Sequence, residues 1–307
     1  MNPTPAYLTL KGKGELTGRA EEARLALASC ALCPRRCQVN RSAGDRGACG
    51  IGRRARVSSF GAHFGEEDPL RGWRGSGTIF FSGCNLHCQF CQNAAISQEV
   101  RGSYVDRSDL GEMMLELQDQ GCHNLNLVSP THVLPQILEG LVYAADRGLE
   151  LPLVYNSGGF DRVSSLRLLD GVVDIYMPDM KYADPGLGKA LSLVENYPQV
   201  NRQAVLEMHR QVGDLQCNSR GIAQRGLLIR HLLLPEGAAG TRQILEFIAR
   251  EVSQSTYLNL MDQYRPAYRA REHPQLRGRV SSEEVEEVKA LARSLGLTRL
   301  DGSPGAC

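Results

Sequence analysis

Three cysteines, Cys84, Cys88 and Cys91, stand in the run FFSGCNLHCQFCQN with the spacing C-x3-C-x2-C, directly after a short apolar stretch. Four ligands close a structural zinc or iron–sulfur site, whereas three thiolates on one tight loop leave a metal valence open for a substrate or cofactor. Gly83 gives the loop freedom to wrap a cluster, and the competing reading is a zinc site completed by His87. A second set, Cys30, Cys33, Cys37 and Cys49, is spaced C-x2-C-x3-C-x11-C and supplies the four sulfurs of a closed site, for zinc or a second iron–sulfur cluster. Seven of the ten cysteines lie between residues 30 and 91 at such spacings, so metal-bound thiolates account for them better than disulfides. Cys122 and Cys217 read as small core residues and Cys307 as a mobile terminal residue. The histidines form no H-x-x-H or H-E-x-x-H arrangement, which leaves a hydrolytic zinc site without support.

The elements that must position these residues follow from periodicity and punctuation. Strands are expected at 78–82, 124–128, 152–155, 172–176, 227–234 and 257–261, with helical stretches between most of them. Helices are expected at about 110–120, 135–147 and in the 280s, the last opening on the capping pattern Ser281-x-x-Glu284, and a further one at 18–29. Alternation of strand and helix implies a parallel sheet. Six such units are fewer than the eight of a closed barrel, so the expectation is an α/β fold, a partial (β/α)6 barrel with a small N-terminal cysteine-rich metal-binding module. Its divisions fall at 1–75 for the N-terminal helix, module and connector, 76–262 for the barrel, and 263–307 for a C-terminal extension. A Gly-rich stretch at 61–77 reads as the connector, and Trp73 within it as packing the module onto the barrel. Ligands in α/β folds collect at the carboxyl ends of parallel strands, and the motifs GCNLHC, SPTH, NSGG, PDMK and PEG all follow strands.

Composition sets outer limits. The chain has 307 residues, 42% hydrophobic and 22% charged, with a net charge of +1, which is ordinary for a globular protein and points to no polyanionic partner. No window nears the roughly 18 apolar residues of a membrane span, and the first residues lack a basic-then-apolar signal, so a cytoplasmic protein is expected. Residues 35–56 depart from the overall balance, with seven arginines against the single acid Asp45. Such a patch could grip RNA phosphates, or its arginines could pair with acids elsewhere in the fold.

The cluster loop resembles that of radical S-adenosylmethionine (SAM) enzymes, whose pattern is C-x3-C-x-aromatic-C, with Phe90 as the aromatic residue. The resemblance implies a 4Fe–4S cluster on Cys84, Cys88 and Cys91, SAM on its fourth iron, and reductive cleavage to a 5′-deoxyadenosyl radical that abstracts hydrogen. No acid–base residue of the protein is obligatory for that chemistry. An electron donor such as flavodoxin or ferredoxin is implied as a partner.

Later strand ends resemble the glycyl radical activating enzymes, of which pyruvate formate-lyase activating enzyme is an example. Ser129, Pro130 and Thr131 stand where that family has G-G-E-P, which receives the SAM amino group; Asn156 and Ser157 match D-T-N-G-F; Met177, Asp179 and Lys181 match M-x-D-x-K, near the SAM carboxylate. The resemblance implies oxygen ligands there for a monovalent cation, and Lys181 as a point charge on the carboxylate; Asn156 in place of aspartate removes one negative charge from that set. Over residues 30–270 the chain is most similar to the uncharacterised iron–sulfur family called PflX, carried by CALCPRRCQVNR with GACGIG, GCNLHCQFCQN, NYPQVNRQAVLEMHRQVG and LNLMDQYRP. A glycine of a partner protein is the substrate that the activases suggest; RNA or a small metabolite is the alternative, and a non-catalytic metal protein the third. Tyr264 and Arg265, just past the last strand, are candidates to contact substrate or to form a lid held by aromatic packing.

Overall fold

A computed structural model describes residues 4–307. Its first half runs α1 (Ala6–Gly12), α2 (Glu15–Leu25), β1 (Ala55–His63), α3 (Asp68–Arg71), β2 (Ser76–Phe81), α4 (Ala94–Ser97), β3 (Ser103–Val105), α5 (Arg107–Asp119), β4 (Leu125–Val128) and α6 (Leu134–Ala145). There follow β5 (Leu153–Ser157), α7 (Val163–Arg167), β6 (Ile175–Pro178), α8 (Pro185–Ser192), α9 (Tyr197–Val212), β7 (Gln216–Cys217), β8 (Ala223–Leu232), α10 (Thr241–Phe247), β9 (Tyr257–Met261) and α11 (Ser282–Ser294).

Strands β2, β4, β5, β6, β8 and β9 pair in parallel in that order, the six units expected from alternation. Their central members are buried on both faces, as parallel strands under helices must be; every residue of β5 and β6 is buried. The sheet stays open, β2 and β9 being unpaired with each other among the described residues. Antiparallel strands extend it: β1 beside β2, β3 beside β1, and the short β7 along the start of β8. β1 is a departure from the expected connector, because residues 61–63 close a strand whose Ser- and Gly-containing sequence ARVSSFGAH carries little apolar alternation. One sheet thus crosses residue 75. β6 also lies later than 172–176, since Val172 and Val173 form the buried turn after α7.

Helices α5, α8 and α11 begin where a side chain satisfies their free amides. Asp106 and Asp109 form a reciprocal capping box at α5, and Ser281 and Glu284 the expected one at α11. At the amino ends of the strands α1 acts as a bolt: the Tyr7 hydroxyl donates to the carbonyls of Leu149 (3.0 Å) and Leu151 (3.1 Å), and Ala6 N donates to Asp174 Oδ1 (2.8 Å). Above it Val154, Ile175, Met177, Leu228, Tyr257 and Leu70 fill the interior between the strands. No helix among the described residues is long and apolar enough to cross a membrane.

Two cysteine readings are corrected. Cys217 is joined to Cys307 by a disulfide, so the chain end is tethered to β7 and neither residue is a lone core thiol or a free end. Trp73 is exposed and packs edge-on against His123 (4.5 Å between centroids), with Arg220 over its ring, rather than joining the module to the barrel. Cys122 is buried, as read.

Strand β8 carries a buried histidine whose neutral form is written in its partners. His231 donates from Nδ1 to the Met180 carbonyl (2.6 Å) and accepts at Nε2 from Thr241 Oγ1 (2.9 Å), and burial pushes its pKa down to about 4. The fold therefore binds fewer protons here than the unfolded chain, and the stability it contributes, full above pH 6.5, is lost as pH falls toward 4. Urea unfolding across that window should show the wild type losing about 3 kcal/mol more than His231→Gln; parallel pH profiles would contradict the assignment.

Candidate active site

The loop after β2 is built to hold its cysteines in place. Gly83 adopts φ +82°, and a Cβ there would collide with the Cys49 carbonyl, so this turn requires glycine. Gly83 N donates to Ile96 O (3.0 Å), while His87 N and Gln89 N donate to Ser192 O (3.1 Å) and Leu191 O (2.8 Å) at the end of α8. Asn85 Nδ2 reaches the Phe160 carbonyl (2.7 Å). The His87 ring lies between Gln98 Oε1 (2.7 Å) and Ala48 O (3.1 Å), engaged away from the three sulfurs.

Cys84, Cys88 and Cys91 border one cavity of about 240 Å³. Cys88 Sγ lies 3.0 Å from Ser192 Oγ and Cys91 Sγ 3.1 Å from Ser97 Oγ. Burial, then the neighbouring Cys88 sulfur, pushes the Cys84 thiol up to about 12; burial also raises Cys88, against the pull of Lys181. A metal bound through Cys84 and Cys88 must displace protons that burial holds on these sulfurs. Among the described residues no three His, Cys, Asp or Glu side chains already converge on one ion position. The donor set nonetheless fits an iron–sulfur cluster: three thiols on one glycine-turned loop around a common hollow, with hydroxyls beside two of the sulfurs.

Opposite the sulfurs stand the ends of β5, β6 and β8. Lys181 Nζ meets Asp179 Oδ2 at 2.6 Å, Arg230 Nη2 meets Asp179 Oδ1 at 2.8 Å, and the same Nη2 donates to Asn156 Oδ1 at 2.7 Å. Burial alone would raise the Asp179 carboxyl, but Arg230 and Lys181 outweigh it and hold it below the usual carboxylate range. Burial works against the Lys181 ammonium, yet Asp179 and the Cys88 sulfur carry its pKa up to about 12. Ser157 lines the cavity and donates to Asp161 Oδ2 (2.7 Å); Asp161, raised by burial, also accepts from Thr131 Oγ1 (2.7 Å) and Tyr155 OH (3.1 Å).

The structure brings together at this cavity Cys84, Cys88, Cys91, Phe90, Ser129, Asn156, Ser157, Asp179 and Lys181. Ser129 sits there with φ +58°, its N–H donating to Asn156 O (2.9 Å). Pro130 and Thr131 turn into the fold beside it, Met177 packs in the interior below, and Tyr264 and Arg265 stay off the cavity wall. Tyr264 is buried, with its hydroxyl on Leu276 O (2.7 Å) and its ring 6.2 Å from that of Phe90, while Arg265 is exposed.

Three participants escaped the sequence reading. Arg230 is a lone charge inside the apolar run LLIRHLLL, which is the signal that could have marked it. Tyr197 and Asn201 of α9 are the others. Tyr197 OH lies 2.8 Å from Gly158 O and 3.1 Å from Asp179 O, and Asn201 Nδ2 donates to Gly159 O (3.0 Å) and Asp179 O (2.9 Å), stitching two strand ends together. Gly159, at φ +70°, lets the Asp179 carbonyl and Asn201 approach where a Cβ would stand.

The four earlier cysteines form a neighbouring knot. Cys33 is pushed up to about 12 by burial, with Cys49, Cys30 and Cys37 adding to the shift, and Gly47 sits directly against the Cys37 and Cys49 sulfurs. Arg41, almost wholly buried, ties the knot to the barrel: Nε donates to Gly52 O (3.0 Å), Nη1 to His132 O (2.8 Å), and Cys30 Sγ lies 3.6 Å from Nη1. Four thiols with a guanidinium at their edge fit a closed thiolate site. Of the seven arginines at 35–56, six are engaged within the fold, mostly with carbonyl oxygens: Arg35, Arg41, Arg46, Arg53, Arg54 and Arg56.

An open, mainly parallel α/β sheet with a three-thiol loop at its carboxyl edge defines the class of an iron–sulfur protein, and residues 71–143 match the family model of a 4Fe-4S single cluster domain. The chain is 33% identical over 293 residues to uncharacterized protein MJ0674 of Methanocaldococcus jannaschii, covering 91% of this chain and 78% of that protein. It belongs to the family of that protein. Among solved structures, Streptococcus suis SuiB bound to precursor peptide SuiA shares the fold at a TM-score of 0.50, with 11% identity over 72% of this chain; this chain spans 47% of SuiB. A radical SAM methyltransferase from Sphaerobacter thermophilus aligns at a TM-score of 0.49, with 16% identity over 75% of this chain and 67% of that one.

The ion cluster yields an ordering. Asp179→Asn removes the carboxylate that Lys181 and Arg230 share, leaving Arg230 with Asn156 and the more distant Glu67, and should cost about 3 kcal/mol or more, whereas Lys181→Met leaves Asp179 bonded to Arg230 and should cost distinctly less. Chemical denaturation of the two variants checks this; equal losses would show that Arg230 does not hold Asp179 alone.

Proposed function

We propose that this chain is a radical SAM enzyme, with Cys84, Cys88 and Cys91 holding three irons of a 4Fe–4S cluster and SAM bound from the ends of β5 and β6. The observation that carries the reading is the single cavity shared by three thiols of one loop and the Asp179–Lys181–Arg230–Asn156 network. The match to a 4Fe-4S single cluster domain supports the same cluster. When bound, the cluster supplies one electron and SAM the 5′-deoxyadenosyl radical that takes a hydrogen atom from the substrate.

The chain's own residues then have definite tasks. Lys181, oriented by Asp179, offers its ammonium to the carboxylate of the methionine portion. Ser129, with Ser157, presents oxygens for the amino group. Phe90, packed edge-on against Tyr182 and Tyr264, backs the loop and excludes water. Arg230, bonded to Asn156 and Asp179, fills the position where the activases suggest a monovalent cation, so the fixed guanidinium replaces that ion. The knot of Cys30, Cys33, Cys37 and Cys49 holds zinc or a second cluster and braces Gly83 through the Cys49 carbonyl. Flavodoxin or ferredoxin serves as electron donor.

For the substrate, likeness of motif to the activases and to PflX keeps a glycine of a partner protein in view. A small metabolite is favoured by one observation: Asn259 of β9 donates to Glu67 Oε1 (2.9 Å), so the segment before β2 spans the gap between the two end strands. The engaged arginines argue against RNA.

Anaerobically reconstituted wild type should show cluster absorbance and release 5′-deoxyadenosine when reduced with SAM, and the Cys84→Ala, Cys88→Ala, Cys91→Ala triple variant should lose both. Retained absorbance and cleavage in the triple variant would refute the assignment. SAM affinity should be insensitive to exchanging sodium for choline in the buffer, and Arg230→Ala should make it cation-dependent or abolish it; a wild type that needs sodium would exclude the guanidinium as the ion's replacement.

A further inference from the structure

A larger hollow, about 720 Å³, opens from the thiol cavity and reaches between β2 and β9. The two share Gln92, Asn93, Val128, Asn156, Arg230 and Met261, so they are one continuous space with the sulfurs at one end. At the other end stand Glu66 and Glu67, from the connection between β1 and β2.

Glu67 is 5% exposed. Its Oε1 accepts from Asn259, while its Oε2 is buried with no hydrogen-bond partner. Its nearest cation is Arg230, 4.0 Å from Oε1 and already bonded to Asp179 and Asn156. Glu66, its side chain 8% exposed, has the His63 ring at 3.2 Å and the Asn126 amide beside it, and burial pushes its carboxyl up against the pull of Arg230. The buried or half-buried charges facing this space are thus Asp179, Glu66, Glu67 and Asp301, the last accepting from the Tyr257 hydroxyl (2.6 Å), against Lys181 and Arg230, whose direct bonds go to Asp179. Lys289 at the rim is paired with Glu286 (2.9 Å). A buried carboxylate oxygen without a donor costs free energy that a charged N–H donor would offset.

We propose that this hollow is the substrate chamber and that it selects a small organic cation bearing N–H donors, an amine or a guanidine, whose charged end is bound by Glu67 and Glu66. The assignment deepens the radical SAM reading and rests on it for the reaction. With the cationic end at the carboxylates, the remainder of such a molecule extends along Phe80, Val128 and Met261 toward the sulfurs.

The test uses agmatine as the cationic probe, with succinate and 1,4-butanediol as anionic and neutral counterparts, in calorimetry or saturation-transfer NMR on the full chain. Agmatine should bind at least about tenfold more tightly than either counterpart, and Glu67→Gln should weaken it about tenfold, the scale of one charged hydrogen bond. Glu66→Gln should weaken it in the same direction and carries the test if Glu67→Gln does not fold. Equal binding of the three probes, or agmatine affinity unchanged in both variants, would overturn the proposal. So would an equal loss in Glu283→Gln on the exposed side of α11, which would mark attachment to surface charge. Probe binding needs neither cluster nor SAM, so its failure leaves the radical reading standing, and failure of the cysteine variants to lose cleavage leaves the charge preference measurable.

Discussion

One carboxylate organises the carboxyl edge of the sheet. Asp179 receives Lys181 from its own loop and Arg230 from β8, and through Arg230 it is linked to Asn156 on β5. Its backbone carbonyl is held in turn by Tyr197 and Asn201 of α9. Two cations around one anion, with Glu67 4.0 Å from Arg230 on the far side, make a dry ion network that is stable only while the geometry is good. Its Lys181 end faces the thiols, where thiolates or the carboxylate of a ligand are the groups that meet it.

How much of this is legible in the chain depends on whether the cause is local. The parallel strands announce themselves as apolar runs, the start of the last helix as Ser281, and the cluster loop as three cysteines at fixed spacing; each is decided within a few residues. β1 is not, because its pairing with β2 comes from backbone hydrogen bonds that ARVSSFGAH shares with many loops. Nor is the Cys217–Cys307 bond, which joins positions 90 residues apart. The site divides the same way. Asp179 and Lys181 are two apart on one strand end and readable, whereas the contribution of Arg230 exists only once β8 lies beside β6. Met177, placed by motif alignment, turns away from the cavity because neighbouring residues on an extended strand face opposite sides, and Pro130 and Thr131 turn away because the chain leaves Ser129 in a tight helical turn.

The two cysteine sets are not separate devices joined by a linker. Arg41 reaches from one into the carbonyl of His132 on the other side of the cluster loop, and the Cys49 carbonyl occupies the space that glycine leaves at position 83. Neither set can adopt its observed conformation while the other is unfolded, so whatever fills the first knot shapes the wall of the second.

The apolar packing of Val154, Ile175, Met177 and Leu228 has a kinetic meaning as well as an energetic one. It closes the sheet's axis from below, Tyr7 bolts it there, and Glu67 with Asn259 bars the side between β2 and β9. These contacts leave the carboxyl ends of the strands as the approach to the sulfurs. A molecule seated deepest must then enter first and leave last, which imposes an order of arrival and departure by sterics alone, without any moving part.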